Sequence, residues 1–223
     1  MRPLSDAVPK PLLEVGGKAL IVWQLERLVA AGCTDIVVNV SHRGELITAA
    51  LGDGSRFGAV VRYSREPEPL EVAGGIATAL SLLDPGLVLV VSGDVYTEFD
   101  YAALLARGAA MAARSDAPHL HLVMVPNPPY HPGGDFALAD GWVRLDGAAR
   151  STFGNVALYR TELFRPLPRG ERLSMSPLYR EWIGKGWASG ELYAGPWVNV
   201  GTPEELAQLD RLLHGAPHER TLR

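Results

Sequence analysis

Blocks of apolar residues alternate with amphipathic stretches along the first half of this chain. Residues 36–40 and 87–91 are short runs rich in β-branched side chains. Continuous apolar runs of this kind are typical of strands buried on both faces, as in a parallel sheet. Residues 19–31, 74–83 and 101–114 instead carry apolar side chains at helical spacing. This alternation predicts an α/β fold in which a mixed, mostly parallel central sheet is flanked by helices.

The second half predicts shorter strands around an irregular loop. Residues 127–134 contain three Pro and two Gly, a composition that leaves no regular structure. Thr202 begins the last helix as its N-cap, with Pro203 at the first helical position and Glu205 completing a capping box. Short apolar segments predict strands at 119–125, 136–138, 142–145, 156–159 and 193–200.

Composition narrows the class of protein. The chain has 223 residues, 47% of them hydrophobic, with a formal net charge of -4. It lacks the basic excess of a general nucleic-acid binder and any run of about 18 apolar residues that could span a membrane. A lone cysteine, Cys33, excludes a disulfide framework and a cysteine-ligated zinc site, and the N-terminus lacks the apolar segment of a secretory signal. We expect a cytoplasmic protein with a single domain over residues 1–214 and a polar tail over 215–223.

Two oxygen-bearing side chains at predicted strand ends are candidates for a metal site. Asp94 follows the apolar run 87–91, and ligands of open α/β sheets bind at the carboxyl ends of strands. Asn199 lies inside an apolar segment just before the last predicted helix. Carboxylate and amide oxygens suit Mg²⁺ held together with substrate phosphates. The residues alone leave a second interpretation open, in which Asp94 caps a turn and Asn199 bonds the backbone.

Three further segments carry candidate binding groups. Lys10 lies between two prolines, which stiffen its backbone, so its ammonium could act as a fixed charge on a phosphate. Gly74 and Gly75 come at a predicted helix start, where backbone N–H groups can approach a base or a phosphate. Asp135 follows two glycines and could present its carboxylate to sugar hydroxyls. Each segment also has a plainer interpretation: a solvated lysine, an ordinary helix-opening turn and a hairpin loop.

Seven short motifs follow one another along the chain: Arg2-Pro3-Leu4-Ser5, Pro9-Lys10-Pro11-Leu12, Leu70-Glu71-Val72-Ala73-Gly74-Gly75, Ser92-Gly93-Asp94-Val95, Gly134-Asp135-Phe136, Phe153-Gly154-Asn155 and Trp197-Val198-Asn199-Val200-Gly201-Thr202. Taken together and in order, they resemble the motifs of the sugar-1-phosphate nucleotidylyltransferases, and the similarity extends from Met1 to about Leu213. The lysine motif and the Gly-Asp motif are shared across that family. The forms at residues 70–75, 134–136 and 197–202 together are typical of the branch that acts on a muramate sugar.

This resemblance implies a Rossmann-like nucleotide-diphospho-sugar transferase fold and a Mg²⁺-dependent reaction. UTP and a sugar 1-phosphate, expected to be N-acetylmuramate 1-phosphate, would give a UDP-sugar and pyrophosphate in bacterial cell-wall recycling. The sequence shows no Ser-His-Asp or Cys-His arrangement, and the reaction needs none, because the sugar phosphate is itself the nucleophile. The protein has to supply alignment and charge neutralisation.

The resemblance also assigns roles to individual residues. By position, Asp94 and Asn199 would hold the Mg²⁺, and Lys10 would lie against the reacting phosphates as the catalytic cation. Gly74 and Gly75 would lie under the uracil of the nucleotide. The residues that would face the sugar are Ser92, Asp135 and Asn155.

This chain departs from the family pattern at its start. Relatives begin with a strand in the middle of the sheet and a glycine-rich loop, ending in Arg, that holds the triphosphate; here both would lie before Met1. Either the start is assigned late, at an internal Met, or the truncation is real. We favour the late start, because a missing central strand leaves two open edges and a core gap, a large cost against a stability of about 5–15 kcal/mol. We expect little or no uridylyltransferase activity from this 223-residue chain.

Two other functions stay open at this point. The chain could act on another hexose 1-phosphate, such as that of glucose or mannose, or it could be a non-catalytic nucleotide-binding homologue. The expected partners are UTP and a sugar 1-phosphate, without nucleic acid or membrane, and the expected assembly is a monomer or a weak homo-oligomer.

Overall fold

The computed structural model describes residues 8–114 and 116–215. The motif at residues 2–5 and residues 216–223 of the predicted tail lie outside these ranges. The helices are α1 (Leu20–Ala30), α2 (Gly44–Leu51), α3 (Glu71–Ala79), α4 (Tyr101–Ala112), α5 (Met175–Gly184) and α6 (Pro203–Gly215). The strands are β1 (Glu14–Val15), β2 (Lys18–Ala19), β3 (Asp35–Val40), β4 (Val60–Arg65), β5 (Leu87–Val91), β6 (Val95–Thr97), β7 (Leu120–Val125), β8 (Phe136–Ala139), β9 (Trp142–Arg144), β10 (Arg150–Arg160), β11 (Ala188–Leu192) and β12 (Trp197–Asn199).

A six-stranded sheet in the order β5-β10-β7-β11-β9-β8 forms the centre of the molecule. The long strand β10 runs antiparallel to β5 and β7, whereas β11 runs parallel to β7. A parallel pair, β3 and β4, forms a separate two-stranded sheet. The predicted α/β fold, a mixed sheet with flanking helices, is therefore confirmed. Within the six-stranded sheet, as far as the structure describes it, the pair β7–β11 is parallel and the other pairs are antiparallel, so the expected excess of parallel pairs is not seen there. Most antiparallel pairs involve β10, which pairs with β5, β7 and β8, or the hairpin formed by β8 and β9.

An apolar cleft separates β3 from β5. Among the described residues β3 pairs only with β4 and β5 only with β10, so each strand leaves one edge without a strand partner. The cleft has a volume of about 480 Å³ and is lined by both strands. The sequence led us to expect two open strand edges and a gap in the core, and this cleft has that geometry. That a further strand belongs there stays a prediction.

This cleft changes one expectation about burial. The runs 36–40 and 87–91 are strands, as predicted, but they are not buried on both faces throughout. All five residues of β5 are half-buried, and of the 36–40 run only Val40 is buried. The reason is the open edge, because side chains that a neighbouring strand would cover border the cleft instead.

The main core lies between α5 and the strands β7 and β10 of the sheet. Tyr159 of β10, Phe164 and Trp182 of α5 are almost fully buried and meet edge to face or at a tilt. The hydroxyl of Tyr159 is hydrogen-bonded to that of Tyr179, which satisfies two buried polar groups in one contact. Burial raises the pKa of both phenols, so both stay neutral. This core fixes the first turns of α5 against the sheet.

Element boundaries differ from the predictions at several places, most of all in β10, which covers Arg150–Arg160 where only 156–159 was predicted. Helix α3 begins at Glu71, which has a left-handed φ of 59°, rather than at residue 74, and it ends at Ala79 rather than at 83. The predicted strand 193–200 forms only over Trp197–Asn199. Helix α6 continues through Gly215, the first residue of the predicted tail. Among the described residues, no helix combines the length and the hydropathy needed to cross a membrane.

The cleft makes a prediction about stability. Leu122 of β7 is fully buried, so Leu122→Ala should lower the free energy of unfolding by about 3 kcal/mol. Leu89 of β5 already borders the cleft, so Leu89→Ala should cost less than half as much. Chemical denaturation of both variants measures the difference. Equal losses would contradict an open cleft, because they would mean that β5 is fully packed in solution.

Candidate active site

Lys10 and Asp94, far apart in sequence, form an ion pair at the carboxyl end of β5. Lys10 opens a short 3₁₀ turn between Pro9 and Pro11, and Asp94 lies in the turn that joins β5 to β6. The Lys10 Nζ is 2.8 Å from the Asp94 Oδ2, and the two side chains are 33% and 28% exposed. Lys10 is therefore not a freely solvated lysine. The pair places a fixed cation and a reachable carboxylate at the strand end where ligands bind in open sheets.

Asn199 comes to the same edge through strand pairing. Strand β12 runs antiparallel to β6, and Asn199 is opposite Val95. The N–H of Val200 donates to the Asp94 carbonyl at 3.1 Å, which fixes the two segments next to each other. The structure thus brings the two predicted metal ligands onto neighbouring backbone segments.

The donor set at this edge fits Mg²⁺. A carboxylate and an amide offer hard oxygen ligands, and Mg²⁺ is commonly held by one or two such groups, with waters and substrate phosphates completing its octahedron. The described residues contain no group of three or more His, Cys, Asp or Glu placed to hold a metal ion by themselves. A cation at Asp94 and Asn199 would therefore depend on its substrate for further ligands.

A pocket of about 520 Å³ opens beside Asn199. Its volume lies in the range of small-molecule binding sites. Of the predicted site residues, Asp135, Asn155 and Asn199 line it, whereas Lys10, Asp94, Ser92, Gly74 and Gly75 do not. The other lining residues are Glu71, Val72, Tyr130, His131, Phe136, Thr152, Phe153, Ser174, Met175, Ser176, Tyr179 and Trp197.

Asn155 enters the pocket wall at a bulge in β10. The register with β7 shifts between Phe153 and Ala157, and Asn155 has a left-handed φ of 56°. Asn adopts this region more readily than most residues, and bulges re-aim side chains at functional sites. The Asn155 carbonyl accepts the N–H of Ser92 at 3.2 Å. Ser92 thereby links the pocket wall to the Asp94 turn.

Asp135 lies at the pocket with both carboxylate oxygens engaged. Oδ2 accepts the backbone N–H of Phe153 at 2.8 Å, and Oδ1 is 3.1 Å from His131 Nε2. These bonds join the loop 127–134 to β10. The predicted contact between Asp135 and sugar hydroxyls stays a prediction.

Gly74 and Gly75 are buried in α3, and the structure gives a packing reason for each. A Cβ on Gly74 would lie 2.1 Å from the carbonyl oxygen of Glu171, and one on Gly75 would lie 2.8 Å from Glu66 Oε1. The Asn39 amide donates to the Gly75 carbonyl at 3.0 Å. The glycines therefore let α3 approach neighbouring segments closely, and their predicted place under a uracil stays untested.

Sequence reasoning missed several residues of the pocket wall. Glu71 begins α3 and pairs with Arg172 Nε at 2.8 Å. Trp197 donates from Nε1 to the Gly154 carbonyl at 2.9 Å. Ser174 caps α5 beside the pocket. The Pro- and Gly-rich composition marked the loop that carries His131 as irregular, but no local pattern marked its side chains as pocket residues.

The mixed α/β fold brings a lysine, a carboxylate and an amide to strand ends beside a small-molecule pocket, a set of groups suited to a transferase that binds phosphates. The nucleotidyl transferase family matches residues 1–129, and this chain belongs to that family. It is 43% identical over 216 residues to the N-acetylmuramate alpha-1-phosphate uridylyltransferase of Neisseria meningitidis serogroup B, with 95% of this chain and 92% of that protein covered. It is 35% identical over 213 residues to the enzyme of the same name from Caulobacter vibrioides, covering 92% and 88% respectively.

A solved structure supports the fold. A putative glucose-1-phosphate thymidylyltransferase from Bacillus anthracis, crystallised in complex with a sucrose, superposes with a TM-score of 0.82. The match covers 97% of this chain and 91% of that one at 16% sequence identity. At this identity, the likeness establishes the nucleotidyltransferase fold alone.

The packing of α3 predicts a contrast between two helical glycines. Gly74→Ala forces a Cβ against a backbone oxygen, so it should lower the free energy of unfolding by about 1–3 kcal/mol. Gly184, at the end of α5, has nothing within 4 Å of its Cβ position, so Gly184→Ala should be neutral or stabilise by about 0.5 kcal/mol. Thermal and denaturant unfolding check both variants. A harmless Gly74→Ala would show that α3 packs less closely than described.

Proposed function

We propose that this chain transfers the uridylyl group of UTP to N-acetylmuramate 1-phosphate, forming a UDP-sugar and pyrophosphate with Mg²⁺. The observation that carries the proposal is the Lys10–Asp94 ion pair, held next to the segment of Asn199, which lines a pocket of about 520 Å³. The choice of UTP and muramate rests on the two uridylyltransferase relatives. Such an activity belongs in the cytoplasm, in the recycling of cell-wall sugars.

The proposed reaction needs no nucleophile from the protein. An oxygen of the sugar phosphate bonds to the α-phosphorus of UTP, while the bond from that phosphorus to the bridging oxygen of the β-phosphate breaks. The electron pair of the broken bond leaves on pyrophosphate. Several negative charges meet in this step, so positioning and charge neutralisation supply most of the rate enhancement.

Lys10 is the cation proposed to neutralise that charge. Asp94 holds its ammonium in one place, and the short turn between two prolines holds its backbone, so little reorganisation is required when phosphates arrive. Asp94 and Asn199 would hold the Mg²⁺, which supplies Lewis-acid stabilisation of phosphate oxygens when bound. Asn199 is neutral, so we expect the ion to bind weakly until phosphates complete its ligand set.

Nucleotide binding tests the proposed role of Lys10. With Mg²⁺ present, UTP should bind more tightly than GTP or dTTP in calorimetric titrations. Lys10→Met removes one charge-assisted contact and should weaken UTP binding about tenfold. The matched control is Lys185→Met, because Lys185 also pairs with a carboxylate, that of Glu181, but lies on the surface of α5, away from the pocket. Equal effects of the two variants would contradict the role of Lys10, and a preference for GTP or dTTP would favour another sugar nucleotide.

The cleft between β3 and β5 bears on turnover. Pro11 and Gly93, the chain neighbours of Lys10 and Asp94, line it, so the cleft extends to the segments that carry this ion pair. Pyrophosphate release with UTP and N-acetylmuramate 1-phosphate measures whether the chain catalyses the proposed reaction with these edges open.

Three outcomes of that turnover assay separate the possibilities. Robust release with the muramate would support the proposed reaction and show that the open edges do not prevent it. Release with glucose or mannose 1-phosphate, but not with the muramate, would replace the proposed sugar. UTP binding without release with any of the three sugar phosphates would favour a non-catalytic homologue.

A further inference from the structure

The pocket beside Asn199 is lined by acidic groups and one group that can become cationic. Glu71 and Asp135 carry the acids, and among the lining residues His131 alone has a side chain that can carry positive charge. Glu71 is paired with Arg172, whose side chain is 74% exposed and does not line the pocket. An anionic part of a sugar that enters this pocket would therefore find its most favourable contact at His131.

The loop that carries His131 is held in one shape by its own hydrogen bonds. The Asn127 amide donates to the carbonyls of Pro132 and Arg150 at 3.1 and 2.9 Å, and its oxygen accepts from the Thr152 hydroxyl at 2.9 Å. Gly134 closes the loop with a φ of 59°, at a point where a Cβ would lie 2.7 Å from Asn127 Oδ1. The position of the imidazole is thus set before any sugar binds.

One side of the His131 ring is engaged and the other is available. Nε2 lies 3.1 Å from Asp135 Oδ1, and the side chain is 41% exposed. Nδ1 makes no hydrogen bond to any residue in 8–114 or 116–215. With Nε2 directed at the Asp135 carboxylate, Nδ1 is the ring nitrogen that is left to bond a ligand in the pocket. The second oxygen of Asp135 is bonded to the Phe153 N–H, which stops the carboxylate from swinging away.

We propose that His131 is a specificity-determining residue that binds the carboxylate of the sugar substrate. The proposal rests on the proposed function, because N-acetylmuramate differs from N-acetylglucosamine by a lactyl ether that ends in a carboxylate. Ser174 and Ser176 line the same pocket with neutral hydroxyls, which can bond any sugar and do not select for charge. His131 is the group that tells the two sugars apart.

Titration calorimetry with two sugar phosphates on the full chain tests this inference. The wild type should bind N-acetylmuramate 1-phosphate more tightly than N-acetylglucosamine 1-phosphate. His131→Gln should weaken binding of the muramate about tenfold and that of the glucosamine less than twofold. His131→Lys, which restores a cation, should recover much of the preference. The pocket shares no lining residue with the cleft between β3 and β5, so binding can be measured without turnover.

A second histidine serves as the matched control. His214 of α6 also pairs with a carboxylate, Asp210, with Nδ1 3.2 Å from Oδ1, but it does not line the pocket. His214→Gln should leave both affinities unchanged. If His131→Gln weakened the binding of both sugar phosphates equally, His131 would only support the loop. If it weakened the binding of neither, His131 would contact neither sugar. Either result would overturn this inference without touching the proposed function. A wild type that binds neither sugar phosphate would overturn the proposed substrate as well.

Discussion

Strand β10 fixes the distance between the two parts of the candidate site. It pairs with β5 on one side and β7 on the other, so the Asp94 turn and the pocket wall share one hydrogen-bonded frame. The bond from the Ser92 N–H to the Asn155 carbonyl continues this pairing past the end of β5. The buried Tyr159 then locks β10 onto α5 through its hydroxyl contact with Tyr179. A shift of β10 would therefore move the pocket wall relative to the Lys10–Asp94 pair.

The bulge at Asn155 is the place where the pairing of β10 with β7 becomes irregular. A left-handed non-glycine residue such as Asn155 costs about 1–2 kcal/mol. The neighbours of the bulge have their polar groups satisfied: Phe153 donates to Asp135, and the Gly154 carbonyl accepts from Trp197. These two bonds attach the loop 127–134 and strand β12 to the bulge. A single irregularity in β10 thus positions three walls of the pocket, which is a structural reason to keep it despite its strain.

Local signals in the sequence predicted several of the elements, although not α2, α5, β4 or β11, whereas contacts distant in sequence decided the site. The run 87–91 becomes β5 with the same bounds, and the last helix has the predicted capping box, because both depend on neighbouring residues. Lys10 and Asp94 were singled out by their local setting, but their pairing depends on the fold. The packing reason for a glycine at position 74 could not be predicted, since the atom that a Cβ would meet there is the carbonyl oxygen of Glu171, which is distant in sequence. Nor could the place of His131 at the pocket, which follows from a loop shaped by its contacts with β10.

The Lys10–Asp94 and His131–Asp135 pairs differ in what they can offer to the proposed substrates. The chain has a net charge of -4, and its proposed substrates are anions, so attraction has to be local. The Lys10–Asp94 pair holds a cation in place but is nearly neutral as a unit, whereas the His131–Asp135 pair holds an imidazole. A polyphosphate needs more positive charge than the lysine pair offers, and Asp94 and Asn199 have the oxygen ligands to add a divalent cation. A single carboxylate can be bound by one imidazole. Under the proposed function, the phosphates would therefore lie at the strand ends and the acidic sugar substituent at the loop.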